Sequence, residues 1–177
     1  PLYSSAASDV YKRQEMNSNN INDIYIDEEK RIWIANYPEG ITIIDNRYKS
    51  YNWIKHSIGN RQSLVNDQVH SVIEDSDGDL WFGTSNGISL YQSKTGQWHS
   101  FLSSFDHQLK NKNHIFITLC EVSPGIIWAG GYTSGVYKIN KRTLSVEYFS
   151  PYLLNPDNIR PDKYIRDIVK DSKGYIW

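Results

Sequence analysis

The stretch Asn66–Tyr91, N-D-Q-V-H-S-V-I-E-D-S-D-G-D-L-W-F-G-T-S-N-G-I-S-L-Y, decides the fold. Short apolar segments alternate there with two turn sequences, D-S-D-G and N-G, in which glycine can take the positive φ of a tight hairpin. An aromatic segment follows a few residues later. We therefore expect four antiparallel strands, at Val69–Glu74, Leu80–Thr84, Ile88–Gln92 and Gln97–Leu102.

The same pattern recurs along the chain with a nearly constant period. Four tryptophans mark it at intervals of 48, 47 and 49 residues: Trp33, Trp81, Trp128 and Trp177. A turn glycine stands three residues before the last three of them: Gly78, Gly125 and Gly174. A hairpin glycine, such as Gly87, follows six or seven residues after the first three. Four short strands repeated every forty to fifty residues or so are typical of β-propeller blades.

The sequence thus predicts an all-β fold: a β-propeller fragment of about three four-stranded antiparallel blades plus the start of a fourth. The expected segments are 15–62 for blade 1, 63–110 for blade 2, 111–158 for blade 3 and 159–177 for the truncated start of blade 4. Residues 1–14 fit no repeat and are expected to be a non-native, adapter-like segment. Because propellers close with about 4–8 blades, we expect the remaining blades of the same chain to complete the ring.

Composition and charge argue against several function classes. Lys and Arg number 19 against 20 Asp and Glu, and a net charge of −1 does not favour nucleic acid as a partner. The apolar runs are too short for a membrane helix. With a single cysteine, Cys120, and five histidines that lack metal-ligand spacing, we predict no metal site, no cofactor and no catalytic residue. The aspartates of D-S-D-G-D lack EF-hand spacing and predict a solvated hairpin turn instead.

The six tryptophans predict blade packing rather than carbohydrate binding. Trp33, Trp81, Trp128 and Trp177 form one repeat column, and we assign Trp53 and Trp98 to a second. Together with the turn glycines, the first column is expected to be structural.

The opening stretch resembles the two-component regulator propeller repeat. Looser copies are I-N-D-I-Y-I-D with R-I-W-I-A and G-I-T-I-I-D, from Ile21, and Y-I-R-D-I-V-K-D-S-K-G-Y-I-W, from Tyr164. Two positions depart from the family pattern, since Lys30 replaces a turn glycine and Val122 replaces an aspartate. The resemblance covers roughly residues 17–177.

This resemblance implies a sensor function. Repeats of this kind occur in the sensor regions of bacterial hybrid histidine kinases, where the propeller is usually periplasmic and the ligands are typically oligosaccharides. The resemblance therefore implies a periplasmic, ligand-sensing region that is not itself an enzyme. A small-molecule or oligosaccharide ligand is the expected partner, and a homodimer is a possible assembly.

Candidate ligand-binding residues lie outside the repeat columns. In a propeller the loops that join strands two to three and four to one share one face, and loops carry function more often than strands do. The shorter turns offer Tyr37, Asn86 and Tyr132. The longer connections offer Arg61, His107, Tyr152 and Arg160.

Two other function classes stay open. The first is a propeller lyase resembling streptogramin lyase, which would need a general base near the ring centre. His70 is the only histidine of a predicted inner strand. The second is a protein-interaction scaffold, which would use the same loop face.

Overall fold

A computed structural model describes residues 19–45, 47, 50–103, 114–149 and 164–177. These residues contain twelve β-strands in three antiparallel sheets and no helix. The predicted all-β propeller architecture is thus confirmed. The adapter-like segment 1–14 lies outside the described residues.

Each sheet is a four-stranded meander in chain order and is called a blade below. Each lies within one of the predicted blade segments, and the strands expected in blade 2 are present. Blade 1 contains β1 (Ile21–Ile26), β2 (Ile32–Asn36), β3 (Gly40–Asp45) and β4 (Ser50–Ile54). Blade 2 contains β5 (Val69–Glu74), β6 (Leu80–Thr84), β7 (Gly87–Gln92) and β8 (Gln97–Phe101). Blade 3 contains β9 (Phe116–Ser123), β10 (Ile126–Gly131), β11 (Gly135–Asn140) and β12 (Ser145–Phe149).

The turn between the first two strands of each repeat needs a left-handed residue. Gly78, Gly125 and Gly174 take φ values of 82°, 74° and 86° there. Lys30 stands at the same position in blade 1 and takes φ 65°, so the turn keeps its shape without glycine. An L-residue in this region crowds its Cβ against the following carbonyl oxygen, at a cost of about 1–2 kcal/mol.

Replacing Lys30 with glycine should therefore stabilise the protein. Relief of the left-handed strain exceeds the extra chain entropy that glycine loses on folding, which leaves a net gain of about 0.5–1 kcal/mol. Urea denaturation followed by circular dichroism measures this gain. Lys30→Ala is the matched control, because it removes the same exposed side chain but keeps the Cβ. An equal gain in both variants would show that backbone strain is not the cause.

The repeated tryptophan is held by the aspartate six residues before it. The indole Nε1 of Trp33 donates to Asp27 at 2.9 Å, and that of Trp81 donates to Asp75 at 2.8 Å. Trp177 donates to Asp171 in the same way at 3.1 Å, although its side chain is exposed. In blade 3 the aspartate position holds Val122, which has no side-chain acceptor. The spacing D-x5-W therefore ties the turn to the strand that follows it.

Apolar side chains fill the spaces between neighbouring blades. Trp33 and Ile41 of blade 1 pack against Leu80 and Phe82 of blade 2. The opposite face of blade 2 packs against blade 3, with Trp81, Ile88, Leu90 and Phe101 on one side and Phe116, Leu119, Ile127 and Ile139 on the other. At Gly83 a Cβ would lie 2.8 Å from the Phe116 carbonyl oxygen, so the two blades approach there to backbone contact. The core is therefore shared between blades rather than enclosed in one sheet.

The inner strands β1, β5 and β9 adjoin one another where the blades converge. Side chains of one blade satisfy backbone groups of the next, since the Val72 amide donates to Asp23 at 2.8 Å. The Ile168 amide likewise donates to the Thr118 hydroxyl at 3.2 Å. Residues 164–177 thus continue the arrangement beside blade 3, as predicted for the start of a fourth blade.

The assignment of Trp53 and Trp98 to one column was wrong. The register pairs Trp98 with Tyr91, whereas Trp53 pairs with Thr42, so Trp53 corresponds to Ser100 of blade 2 and Tyr148 of blade 3. Trp98 is 8% exposed, but Trp53 is 57% exposed. Tyr148 lies on a face that blade 2 covers and is still 50% exposed.

The aspartate-rich turn of blade 2 is a hairpin turn as predicted, but of its three aspartates only Asp77 is exposed to solvent. The Lys141 ammonium, from the end of β11, lies 2.7 Å from Asp75, 2.8 Å from Asp77 and 2.8 Å from Asp79. Asp75 and Asp79 are buried. Although burial disfavours the charged form of Lys141, hydrogen bonds to the three carboxylates hold its pKa above the usual range. We call this group the Lys141 cluster; it joins blades 2 and 3.

Candidate functional site

A pocket of about 500 Å³ lies at the end of the blades opposite the Lys141 cluster. We call it the loop-face pocket. All three blades contribute to its lining, which consists of Tyr37, Gln68, His70, Ser85, Ile115, Ile117 and Tyr132.

The same backbone hydrogen bond positions the pocket residues in each blade. The amide four residues after the repeated tryptophan donates to the carbonyl of the residue just before the inner strand. These pairs are Tyr37 with Asn20, Ser85 with Gln68 and Tyr132 with Ile115, at 2.9, 3.0 and 2.8 Å. Tyr37, Ser85 and Tyr132 are therefore equivalent positions in the repeat, and the turn that carries each is fixed to the start of an inner strand.

A bulge in each inner strand aims one further residue toward this end of the blades. The pairing of the inner strand with its neighbour skips Asn22 in blade 1, His70 in blade 2 and Ile117 in blade 3. Bulges commonly redirect a side chain next to a functional site. His70 and Ile117 line the pocket, and Asn22 contacts His70.

His70 is the centre of a polar network. Its Nε2 lies 2.8 Å from the Ser85 hydroxyl, and its Nδ1 lies 3.4 Å from the Asn22 amide nitrogen. The Tyr37 ring centroid is 6.0 Å from that of His70. Burial lowers the pKa of His70, so the imidazole is neutral at pH 7.

The other side of the pocket is aromatic and more open. Tyr132 is 46% exposed, and its ring contacts that of Tyr164 edge-on, with centroids 5.4 Å apart. The pocket lining thus combines the aromatic rings of Tyr37 and Tyr132 with the hydrogen-bonding side chains of Gln68, His70 and Ser85. Such a combination suits a ligand with both apolar faces and hydroxyl groups.

Two of the predicted site residues meet in this pocket, Tyr37 and Tyr132. Asn86 and Arg61 are described but do not line it. The prediction took Asn86 from the turn of blade 2, whereas the residue equivalent to the two tyrosines is Ser85. Three predicted residues lie outside the described residues: His107, Tyr152 and Arg160.

Sequence reasoning also missed Gln68 and the pocket-lining position of His70. Counting four residues from each repeated tryptophan would have found Ser85. Across the described ranges no group of His, Cys, Asp and Glu side chains could hold a metal ion. Nor do those ranges contain a helix long and apolar enough to cross a membrane.

A scan against protein families matches residues 15–37 and 63–86 to the family described as "Two component regulator propeller". Two segments of the chain therefore match two-component regulator propeller repeats. The matched segments include four pocket residues of blades 1 and 2: Tyr37, Gln68, His70 and Ser85. No curated protein matches the chain.

Solved structures share the fold of these two-component regulator propeller repeats. The extracellular domain of the hybrid two-component system BT3049 from B. thetaiotaomicron is similar, with 22% identity and a TM-score of 0.77. The match covers 100% of this chain and 22% of that chain. That of BT4673 gives 21% identity and a TM-score of 0.65 over 89% of this chain and 18% of that one. The computationally designed Ika4 protein gives 11% identity and a TM-score of 0.58, and the match covers 93% of this chain and 92% of that one. The chain spans about a fifth of the two extracellular domains.

Proposed function

We propose that this chain belongs to the ligand-sensing, periplasmic propeller region of a two-component (hybrid) histidine kinase, and that its ligand is an oligosaccharide bound in the loop-face pocket. The observation that supports this most is the convergence of three blades on one pocket through equivalent repeat positions. The similarity to extracellular domains of hybrid two-component systems supports the sensor role.

The chemistry of the lining suits a saccharide. A sugar ring has apolar C–H faces, which pack on aromatic rings such as those of Tyr37 and Tyr132. Its hydroxyl groups need hydrogen-bond partners when they leave water, and Ser85 and Gln68 provide them. The roughly 500 Å³ of the pocket is within the usual size range of small-ligand sites.

A ligand that contacts several blades can shift a conformational equilibrium, because it favours the state in which those contacts form together. We infer that the remaining blades of the same protein, and a homodimer of the sensor, transmit that shift. His70 hydrogen-bonds with Ser85 and Asn22 rather than with a carboxylate, so its partners support a binding role over that of a general base. We therefore propose that the region is not itself an enzyme.

Removing either pocket tyrosine should weaken oligosaccharide binding. Isothermal titration calorimetry with hexasaccharides of glucose, galactose, mannose, xylose and arabinose should identify a ligand. For that ligand, Tyr37→Ala and Tyr132→Ala should each raise the Kd by about tenfold, since each removes a contact of about 1.4 kcal/mol. Tyr175→Ala is the matched control, because Tyr175 is 64% exposed and lies outside the pocket.

Two results would contradict this proposal. One is an equal loss of affinity in Tyr175→Ala, which would place the ligand elsewhere or indicate a general loss of structure. The other is the absence of binding to every hexasaccharide.

A further inference from the structure

We propose that the loop-face pocket selects an uncharged saccharide over its acidic counterpart, and that the Ser85 hydroxyl donates a hydrogen bond to an acceptor oxygen of that ligand. This inference rests on the proposed function and specifies the class of ligand for the same site. The starting observation is that the described residues that line the pocket include no Asp, Glu, Lys or Arg.

The hydrogen-bond network fixes the direction of the Ser85 donor. The Asn22 side-chain nitrogen donates to the Val69 carbonyl at 2.8 Å, which establishes that the nitrogen end of the amide faces β5. The same nitrogen contacts Nδ1 of His70, so Nδ1 accepts and the imidazole proton is on Nε2. Nε2 therefore donates to the Ser85 oxygen, and the Ser85 hydroxyl proton is left for another acceptor.

A neutral polyhydroxylated ligand fits this arrangement and an anion does not. A sugar oxygen can accept from Ser85 while neighbouring hydroxyl groups bond with Gln68. A uronate carboxylate would lose its hydration in a pocket whose described lining residues carry no positive charge, because burial keeps His70 neutral. Burying an uncompensated charge is strongly unfavourable.

Three charged residues near the pocket, in the described part of the chain, do not line it: Glu39, Asp23 and Arg166. Glu39, in the same turn as Tyr37, forms an ion pair with Lys55 at 2.8 Å. Asp23 accepts from the amides of Ile24 and Val72. Arg166 occupies the position in the 164–177 segment that corresponds to His70, but it does not line the pocket. Arg166 is therefore the group through which an acidic ligand could bind if the inference were wrong.

Matched hexasaccharides provide the test, because a hexose and its uronate differ only at C6. The pairs are glucose and glucuronate, galactose and galacturonate, and mannose and mannuronate, each titrated by calorimetry at pH 7.5 in low salt. We expect the neutral member of the bound pair to bind at least about tenfold more tightly. Ser85→Ala should weaken neutral binding about tenfold, whereas Tyr175→Ala, which lies outside the pocket, should leave it unchanged.

The other outcomes separate this inference from the proposed function. Equal or tighter binding of a uronate, lost in Arg166→Gln, would overturn the selection for neutral ligands and leave saccharide sensing intact. Neutral binding that is unchanged in Ser85→Ala would overturn the assigned donor. Failure of every hexasaccharide to bind would overturn both proposals.

Discussion

Replacing Trp81 with alanine should lower the free energy of unfolding by about 3–5 kcal/mol, because the cavity left by a buried aromatic side chain collapses only in part. Trp81 has no exposed surface. Its ring stacks on Phe101 at 5.5 Å between centroids, and it lies in the cluster shared by blades 2 and 3. The change also leaves Asp75 without its indole donor. Urea denaturation followed by far-ultraviolet circular dichroism measures the difference.

Trp53→Ala is the matched control for this experiment. Both changes remove one indole from a β-strand, but Trp53 is 57% exposed and its position corresponds to Ser100 and Tyr148 on the outer strands. Its loss should change the free energy of unfolding by less than about 1 kcal/mol. If the two variants lost equal stability, Trp53 would belong to a buried column after all, and the register of β4 would be in error.

The repeat made most of the fold predictable from the sequence. Trp33, Trp81 and Trp128 each sit in the second strand of a blade, and the glycines before and after them mark the turns. A residue type repeated at a constant period identifies the strands more reliably than the propensity of any one segment. Even the departure at Lys30 left the turn unchanged, since the surrounding strands hold the backbone in the left-handed region.

The error at Trp53 has a simple geometric origin. Counted from the hairpin glycines Gly40 and Gly87, Trp53 and Trp98 stand 13 and 11 residues later, a difference of two. Because side chains on a strand alternate with a period of two, a slip of two residues keeps both tryptophans on equivalent faces. The alternation of apolar and polar side chains along a strand therefore cannot reveal a shift of two residues in the strand pairing. Only the pairing of Ser50 with Asp45 and of Gln97 with Gln92 fixes the register.

The loop-face pocket was only half predictable for a different reason. Tyr37 and Tyr132 stand out in the sequence because they are aromatic residues at one repeat position. Ser85 stands at that position too, but a serine in a turn carries no such signal. The role of His70 depends on a bulge, which redirects the side chain without a distinctive sequence pattern.

Replacing Lys141 with methionine should also lower the free energy of unfolding by about 3–5 kcal/mol, because removing one partner of a buried ion cluster leaves uncompensated charge. The Lys141 side chain is 10% exposed, and those of Asp75 and Asp79 are 1% and 10% exposed. Methionine preserves most of the apolar stem, so lost packing contributes little. Lys138→Met is the matched control, since Lys138 is 42% exposed and lies 3.6 Å from an exposed Glu147. That variant should lose at most about 1 kcal/mol, as expected of a surface ion pair.

The pH dependence of the free energy of unfolding shows whether Lys141→Met is destabilised by the loss of the cation beside the carboxylates or by another defect. In the wild-type protein the hydrogen bond from Lys141 lowers the pKa of Asp77, so the stability that this pair contributes is present above the unfolded pKa of about 4 and is lost as the pH falls. In the variant Asp77 has lost its cationic partner, so Lys141 no longer lowers its pKa and acid removes none of that contribution. The stability difference between the two proteins should therefore shrink as the pH falls from about 5 to about 3, measured by urea denaturation at each pH. A difference that stays constant across this range would show that the variant is destabilised by altered packing, and that the three carboxylates do not depend on Lys141.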